Sequence, residues 1–155
     1  MKTKHRKDAH AKHRLRADPG AFFRVMARVQ PFTQPEQTSL TLPLRVSWQS
    51  LCTGQGTEED FHNLACCANV CLLRAEEIDP LLVVPVQHAQ DALMHMLDRA
   101  QRLGHWGTDH LSREHIPPLL DLYEQLIALS TPQQMHTAMQ AVMLRMQRGQ
   151  TIPQP

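Results

Sequence analysis

The sequence predicts an all-α protein, a small bundle of four to five helices behind a flexible, basic N-terminal arm. Three observations carry this. Apolar residues recur at helical spacing in successive segments, start and stop residues bracket those segments, and positive charge gathers at one end of the 155-residue chain. The division that follows is residues 1–34 as arm, short amphipathic helix and linker, 35–150 as the bundle, and 151–155 as a short polar tail.

Residues 1–17 lack apolar periodicity and are expected to be disordered in the free chain. Asp18-Pro19 then supplies an N-cap and a proline at the first helical position. Phe22, Met26 and Val29 follow at i, i+4 and i+7, widened by Phe23 and Val25, in a helix that stops before Pro31. So short a helix is unstable alone and must dock on this chain's core, a second copy or a partner. Residues 30–39 read as a linker rich in Gln, Pro and Thr.

Leu40, Leu42, Leu44, Val46 and Trp48 alternate with polar residues as in an edge strand. Leu44, Trp48, Leu51 and Cys52 equally mark a helical face, with Pro43 as its start and Gly54 as its end. The helix is preferred because no second strand is present to pair with, and a lone strand leaves its backbone unsatisfied.

Thr57 before Glu58, Glu59 and Asp60 is an N-cap with an acidic first turn. Phe61, Leu64, Ala65, Ala68, Cys71, Leu72 and Ala75 then form a helical stripe. Asp79-Pro80 opens the next helix, with an irregularity expected at Pro85. Its buried face is Val86, Ala89, Leu93, Met96, Leu97, Ala100 and Leu103, closed by Gly104. Residues 105–116 read as a connector. From Pro117, the stripe Leu119, Leu122, Tyr123, Leu126 and Leu129 marks a further helix. Thr131-Pro132-Gln133-Gln134 is a capping box for the last one, faced by Met135, Ala138, Met139, Val142 and Met146 and closed by Gly149. The short connections favour antiparallel neighbours.

No apolar run approaches the roughly 18–20 residues that cross a bilayer, so no membrane contact is expected. The charged first residues lead into no secretory core, which points to the cytoplasm. Cys52, Cys66, Cys67 and Cys71 lack a disulfide-framework spacing and read as reduced, largely inert thiols.

The net charge of +1 hides a split. Residues 1–28 carry nine Lys or Arg (Lys2, Lys4, Arg6, Lys7, Lys12, Arg14, Arg16, Arg24, Arg28) against Asp8 and Asp18, which is +7. The remainder holds seven basic and thirteen acidic groups, which is −6. Such asymmetry points to a polyanion, with nucleic acid the expected partner and those nine residues the expected contacts. A solubilising tail, or an arm folded back on the acidic body, is the plainer alternative.

Catalytic and cofactor signatures are weak, and the chain is read as non-enzymatic and without a cofactor. His88, Asp91, His95 and Asp98 lie on one side of a helix, opposite its apolar stripe, so a solvated face is preferred to a metal site. His88, Asp91 and His95, joined by His62, are the weak metal alternative. His62/Cys66 and Cys67/Cys71 are i, i+4 pairs without the knuckle spacing of zinc sites. Gly54-Gln55-Gly56 is too short for a phosphate loop. The row Met135, Met139 and Met143 is read as core rather than as an adaptable binding surface.

The segment Gly54-Gln55-Gly56-Thr57-Glu58-Glu59-Asp60-Phe61-His62-Asn63-Leu64-Ala65, behind a basic arm and before Asn69-Val70, resembles a group of short proteobacterial proteins. Some of these are grouped with Fis-type transcriptional regulators. The resemblance covers roughly residues 40–148 and implies a regulatory, DNA-associated role without carrying over any site residue. A Fis-type protein ends in a basic helix-turn-helix. Residues 130–148 hold only Arg145 and Arg148, and the turn before them lacks the usual glycine, which moves any DNA contact to the arm. The alternative is a protein-interaction module, docking a partner through the Phe22–Val29 helix or a helical face. The leading reading allows a homodimer.

Overall fold

The structure is a computed structural model that describes residues 28–150. The disorder expected of residues 1–17, the helix start at Asp18-Pro19, most of the Phe22–Val29 helix and the 151–155 tail lie outside the described residues. Within them the chain forms α1 (Gln34–Cys52), α2 (Glu58–Ile78), a 3-10 turn (Pro80–Leu82), α3 (Val83–Leu103), α4 (His110–Ala128) and α5 (Pro132–Gln147).

Cross-links between turns fix the directions of the helices. A single antiparallel bridge joins Gly56, in the α1–α2 turn, to Trp106, in the α3–α4 turn. Trp106 also stacks on Phe61 with ring centroids 4.9 Å apart. Both turns therefore share one end of the bundle. At the other end, Arg74 near the close of α2 reaches Ser130 in the α4–α5 turn. Helices α1 to α4 thus alternate in direction, and α5 returns antiparallel to α2. Among the described residues, helix α2 touches all four others, whereas α5 rests chiefly on α2.

The centrality of α2 explains why burial spreads around it beyond one stripe. Phe61, Leu64, Ala68, Cys71 and Ala75 are buried as expected, and Cys67, Val70, Asn69 and Arg74 join them. The core is completed by Leu51, by Val86, Ala89, Leu93 and Met96, by Ile116, Leu119, Leu120, Leu126 and Ile127, and by Ala138 and Val142. Leu44 and Trp48 pack against it, which confirms the helical reading of that segment. Leu103 and Leu129, expected on buried faces, are exposed because each lies at the end of its helix.

Three boundaries differ from expectation, each at a proline. The linker is shorter, because α1 begins at Gln34 behind Thr33, whose amide and hydroxyl both donate to the Glu36 carboxylate. Pro43 therefore lies inside α1 rather than at its start. The carbonyl it leaves unpartnered, that of Ser39, belongs to an exposed residue where water can replace the lost bond. Helix α4 begins at His110 rather than Pro117. Asp109 caps it, accepting from the Ser112 amide at 2.8 Å, while the Asp109 amide donates to Ser112 Oγ at 2.8 Å. Pro117 and Pro118 lie within α4, and the carbonyls they free, at Arg113 and Glu114, are again on exposed residues. The irregularity expected at Pro85 falls earlier, as the 3-10 turn at Pro80–Leu82. The Thr131–Gln134 capping box forms as expected, with the Thr131 amide donating to Gln134 Oε1 at 2.9 Å.

Candidate functional site

Of the nine expected phosphate contacts, Lys2, Lys4, Arg6, Lys7, Lys12, Arg14, Arg16 and Arg24 lie outside the described residues. Arg28 is described and exposed, in a shallow depression with Pro132, Gln133 and His136 at the start of α5.

The basic side chains of the body are largely occupied with holding the bundle. Arg45 on α1 reaches α4, donating through Nη2 to Asp121 at 2.6 Å and to Glu124 at 2.9 Å. Arg74, 4% exposed, donates through Nε and Nη2 to Ser130 Oγ at 3.2 and 2.9 Å and pairs with Glu77. Arg99 donates to the Thr108 carbonyl at 2.6 Å, and Arg113 to the Thr108 hydroxyl at 3.0 Å, which pins the α3–α4 connector. Five of the seven basic residues after Arg28, counting Arg102 on the Asp98 carbonyl of its own helix, thus have intramolecular partners, against thirteen acidic residues. The body presents no broad positive surface for phosphates.

Arg74 lies outside every buried face expected from the sequence. Its signal was present: Cys67, Cys71 and Arg74 stand at i, i+4 and i+7, which places a guanidinium on a buried side of α2. The buried Asn69–Gln90 approach, 3.5 Å between α2 and α3, was also unforeseen, because each residue taken alone reads as surface.

His88, Asp91 and His95 are exposed and share one depression with His115 of α4, whose ring centroid is 5.3 Å from that of His88. Among the described residues no three His, Cys, Asp or Glu side chains converge so as to hold a metal ion. His62 lies on α2, lining a different groove, and is not brought to this group.

Cys67 and Cys71 are buried, while Cys52 and Cys66 are half-buried; all four are free thiols. Burial pushes the thiols of Cys66 and Cys52 up, and raises Cys67 further with help from its neighbour Cys71. That is the wrong direction for a nucleophile. The Cys66 sulfur meets Met139 Sδ at 3.6 Å rather than a base.

An apolar groove of about 190 Å³ lies between α2, α3 and α5, lined by Phe61, His62, Ala65, Cys66, Leu97 and Met146. Along its rim the methionine row departs from the expected core. Met135 packs inward, but Met139, Met143 and Met146 are 37%, 49% and 49% exposed. The reason is that, among the described residues, α5 packs essentially on one helix, which covers the strip holding Ala138 and Val142.

No protein-family model matches the chain, and neither a curated protein nor a solved structure matches it. No helix among the described residues is long and apolar enough to cross a membrane.

Proposed function

We propose that the chain is a non-enzymatic accessory or regulatory protein that associates with nucleic acid through its N-terminal arm. Lys2, Lys4, Arg6, Lys7, Lys12, Arg14 and Arg16 would pair with phosphates and release counterions, with Arg24 and Arg28 at the base of the arm and little reading of bases. The observation that carries this is the charge partition, +7 before the body and −6 within it. The ties of Arg45, Arg74, Arg99 and Arg113 to the bundle support it, since they leave little uncommitted positive charge in the body. An acidic body would repel a duplex and limit contact to the arm. Binding of a labelled duplex by the full chain and by a chain beginning at Asp18 tests the reading. It fails if the shortened chain binds as well as the full one.

A second reading, a protein-interaction module, is favoured by one feature of α1. Leu42 and Val46, one turn apart on its outer side, are 57% and 56% exposed. A paired apolar ridge of this kind suits an apolar helical partner. A stable complex that is lost in Leu42→Asp, with nucleic-acid binding absent throughout, would establish this reading in place of the first.

A further inference from the structure

Among the described residues, nothing packs over one apolar flank of helix α5, and a groove lies beside it. Pro132, His136, Met139, Met143 and Met146 follow one another along this flank, adjacent to the buried strip of Ala138 and Val142. Met139 touches Cys66 of α2, and Met146 forms part of the groove over Phe61, Ala65 and Leu97. The flank runs from Pro132, near the Ser130 end of the bundle, to Met146, beside Phe61 near the Trp106 end.

The chain itself supplies the means to cover it. The first described residue, Arg28, sits beside Pro132, Gln133 and His136, at one end of the flank. The residues immediately before it include Phe22, Phe23, Val25 and Met26, which with Val29 are spaced for one helical face. As a helix, residues 19–29 would be about 15 Å long, and His136 to Met146 along α5 is also about 15 Å. Entering beside His136, such a segment would end near Met146 with nothing to spare and nothing left over.

Charge agrees with length. A segment laid antiparallel to α5 would carry Asp18 toward Arg145 and Arg148, and would release the basic residues of the arm beside Glu58, Glu59 and Asp60 in the first turn of α2. Opposite charges meet at both places, and the antiparallel dipoles are favourable as well.

We propose that the α5 flank of Met139, Met143 and Met146, with its adjoining groove, is the docking site of this chain's own Phe22–Val29 segment. This goes beyond the nucleic-acid reading and stands independently of it. Methionine suits the role, since its flexible thioether fills the irregular gaps that aromatic rings leave. The docked segment fixes the root of the arm at one end of the bundle.

The test uses the full chain with Phe22 replaced by the photoreactive p-benzoylphenylalanine, which inserts preferentially at methionine. Irradiation of an equal mixture of unlabelled and heavy-isotope chains, followed by peptide mass spectrometry, distinguishes links within a chain from links between chains. Links within one chain, from Phe22 to the peptide bearing Met139, Met143 or Met146, are expected. A Met143→Asp variant, changed at an exposed position and checked by circular dichroism for an unchanged fold, should lose that link by at least about tenfold, because docking would bury a carboxylate without a partner. Links between chains, links to another helix, no link at all, or an undiminished yield in Met143→Asp would each overturn the proposal.

Discussion

Arg74 holds the Ser130 end of the bundle, and its removal should be among the most damaging single changes in the body. Its guanidinium is buried with Ser130, itself 1% exposed, and no fully buried side-chain nitrogen or oxygen among the described residues lacks a partner. Arg74→Ala would leave the Ser130 hydroxyl without its two donors, an orphaning that costs about 1–3 kcal/mol. The void left by the Arg74 stem adds a cost of similar order. Together these give about 3 kcal/mol. The Glu77 pair adds little, since that carboxylate is 59% exposed and solvent screens it. In urea unfolding followed by circular dichroism, with a slope of about 1.5 kcal/mol/M, the midpoint should fall by roughly 2 M. Arg74→Met keeps the stem and should recover about half of the loss. A midpoint shift below about 0.5 M for Arg74→Ala would refute the view that this contact secures the α4–α5 turn against α2.

Other perturbations probe the opposite end and the caps. Gly56→Ala would set a Cβ 3.0 Å from the Leu51 Cα and closer still to its side chain, while Leu51 is 1% exposed, so a loss of about 1–3 kcal/mol in thermal or urea unfolding is expected. Burial pushes the Asp60 and Asp109 carboxyls up, but bonds from Thr57 and Ser112 respectively outweigh it and leave both below their ordinary value of 3.8. Folded values below unfolded ones contribute stability that is full above pH 3.8 and lost as pH falls through the lowered values, so Asp60→Asn and Asp109→Asn should flatten the acid limb of a stability–pH curve. In the folded chain Cys52 and Cys66 should react slowly with a thiol reagent at neutral pH, whereas Cys67 and Cys71 should react only on unfolding; prompt labelling of all four would contradict the burial described here.

Much of the fold was legible because periodicity and capping agreed. The Thr57 and Thr131 starts, the Gly104 stop and the Phe61–Ala75 stripe are local signals, and the tertiary structure did not override them. Prolines misled at both Pro43 and Pro117. The carbonyls these prolines free belong to exposed residues, where water can replace the lost bond, and sequence alone does not show which residues are exposed. The start of α4 was missed because its reciprocal cap uses Asp109 with Ser112, in place of the more familiar glutamate or glutamine. The methionines on α5 read as core by spacing, and the assembled bundle reveals that, among the described residues, α5 packs on little besides α2. At the basic arm the sequence speaks through composition alone, since the phosphate pairing proposed for it would require no particular spacing.

The measurement that bears most directly on the proposed function is fluorescence anisotropy of a labelled DNA duplex over a salt series, with the full chain and the chain beginning at Asp18. Several arm contacts predict a log–log salt slope of roughly −4 to −6 for the full chain, collapsing with the affinity when residues 1–17 are removed. A slope near zero, or the same slope and affinity in both chains, would contradict the assignment of nucleic-acid binding to the arm.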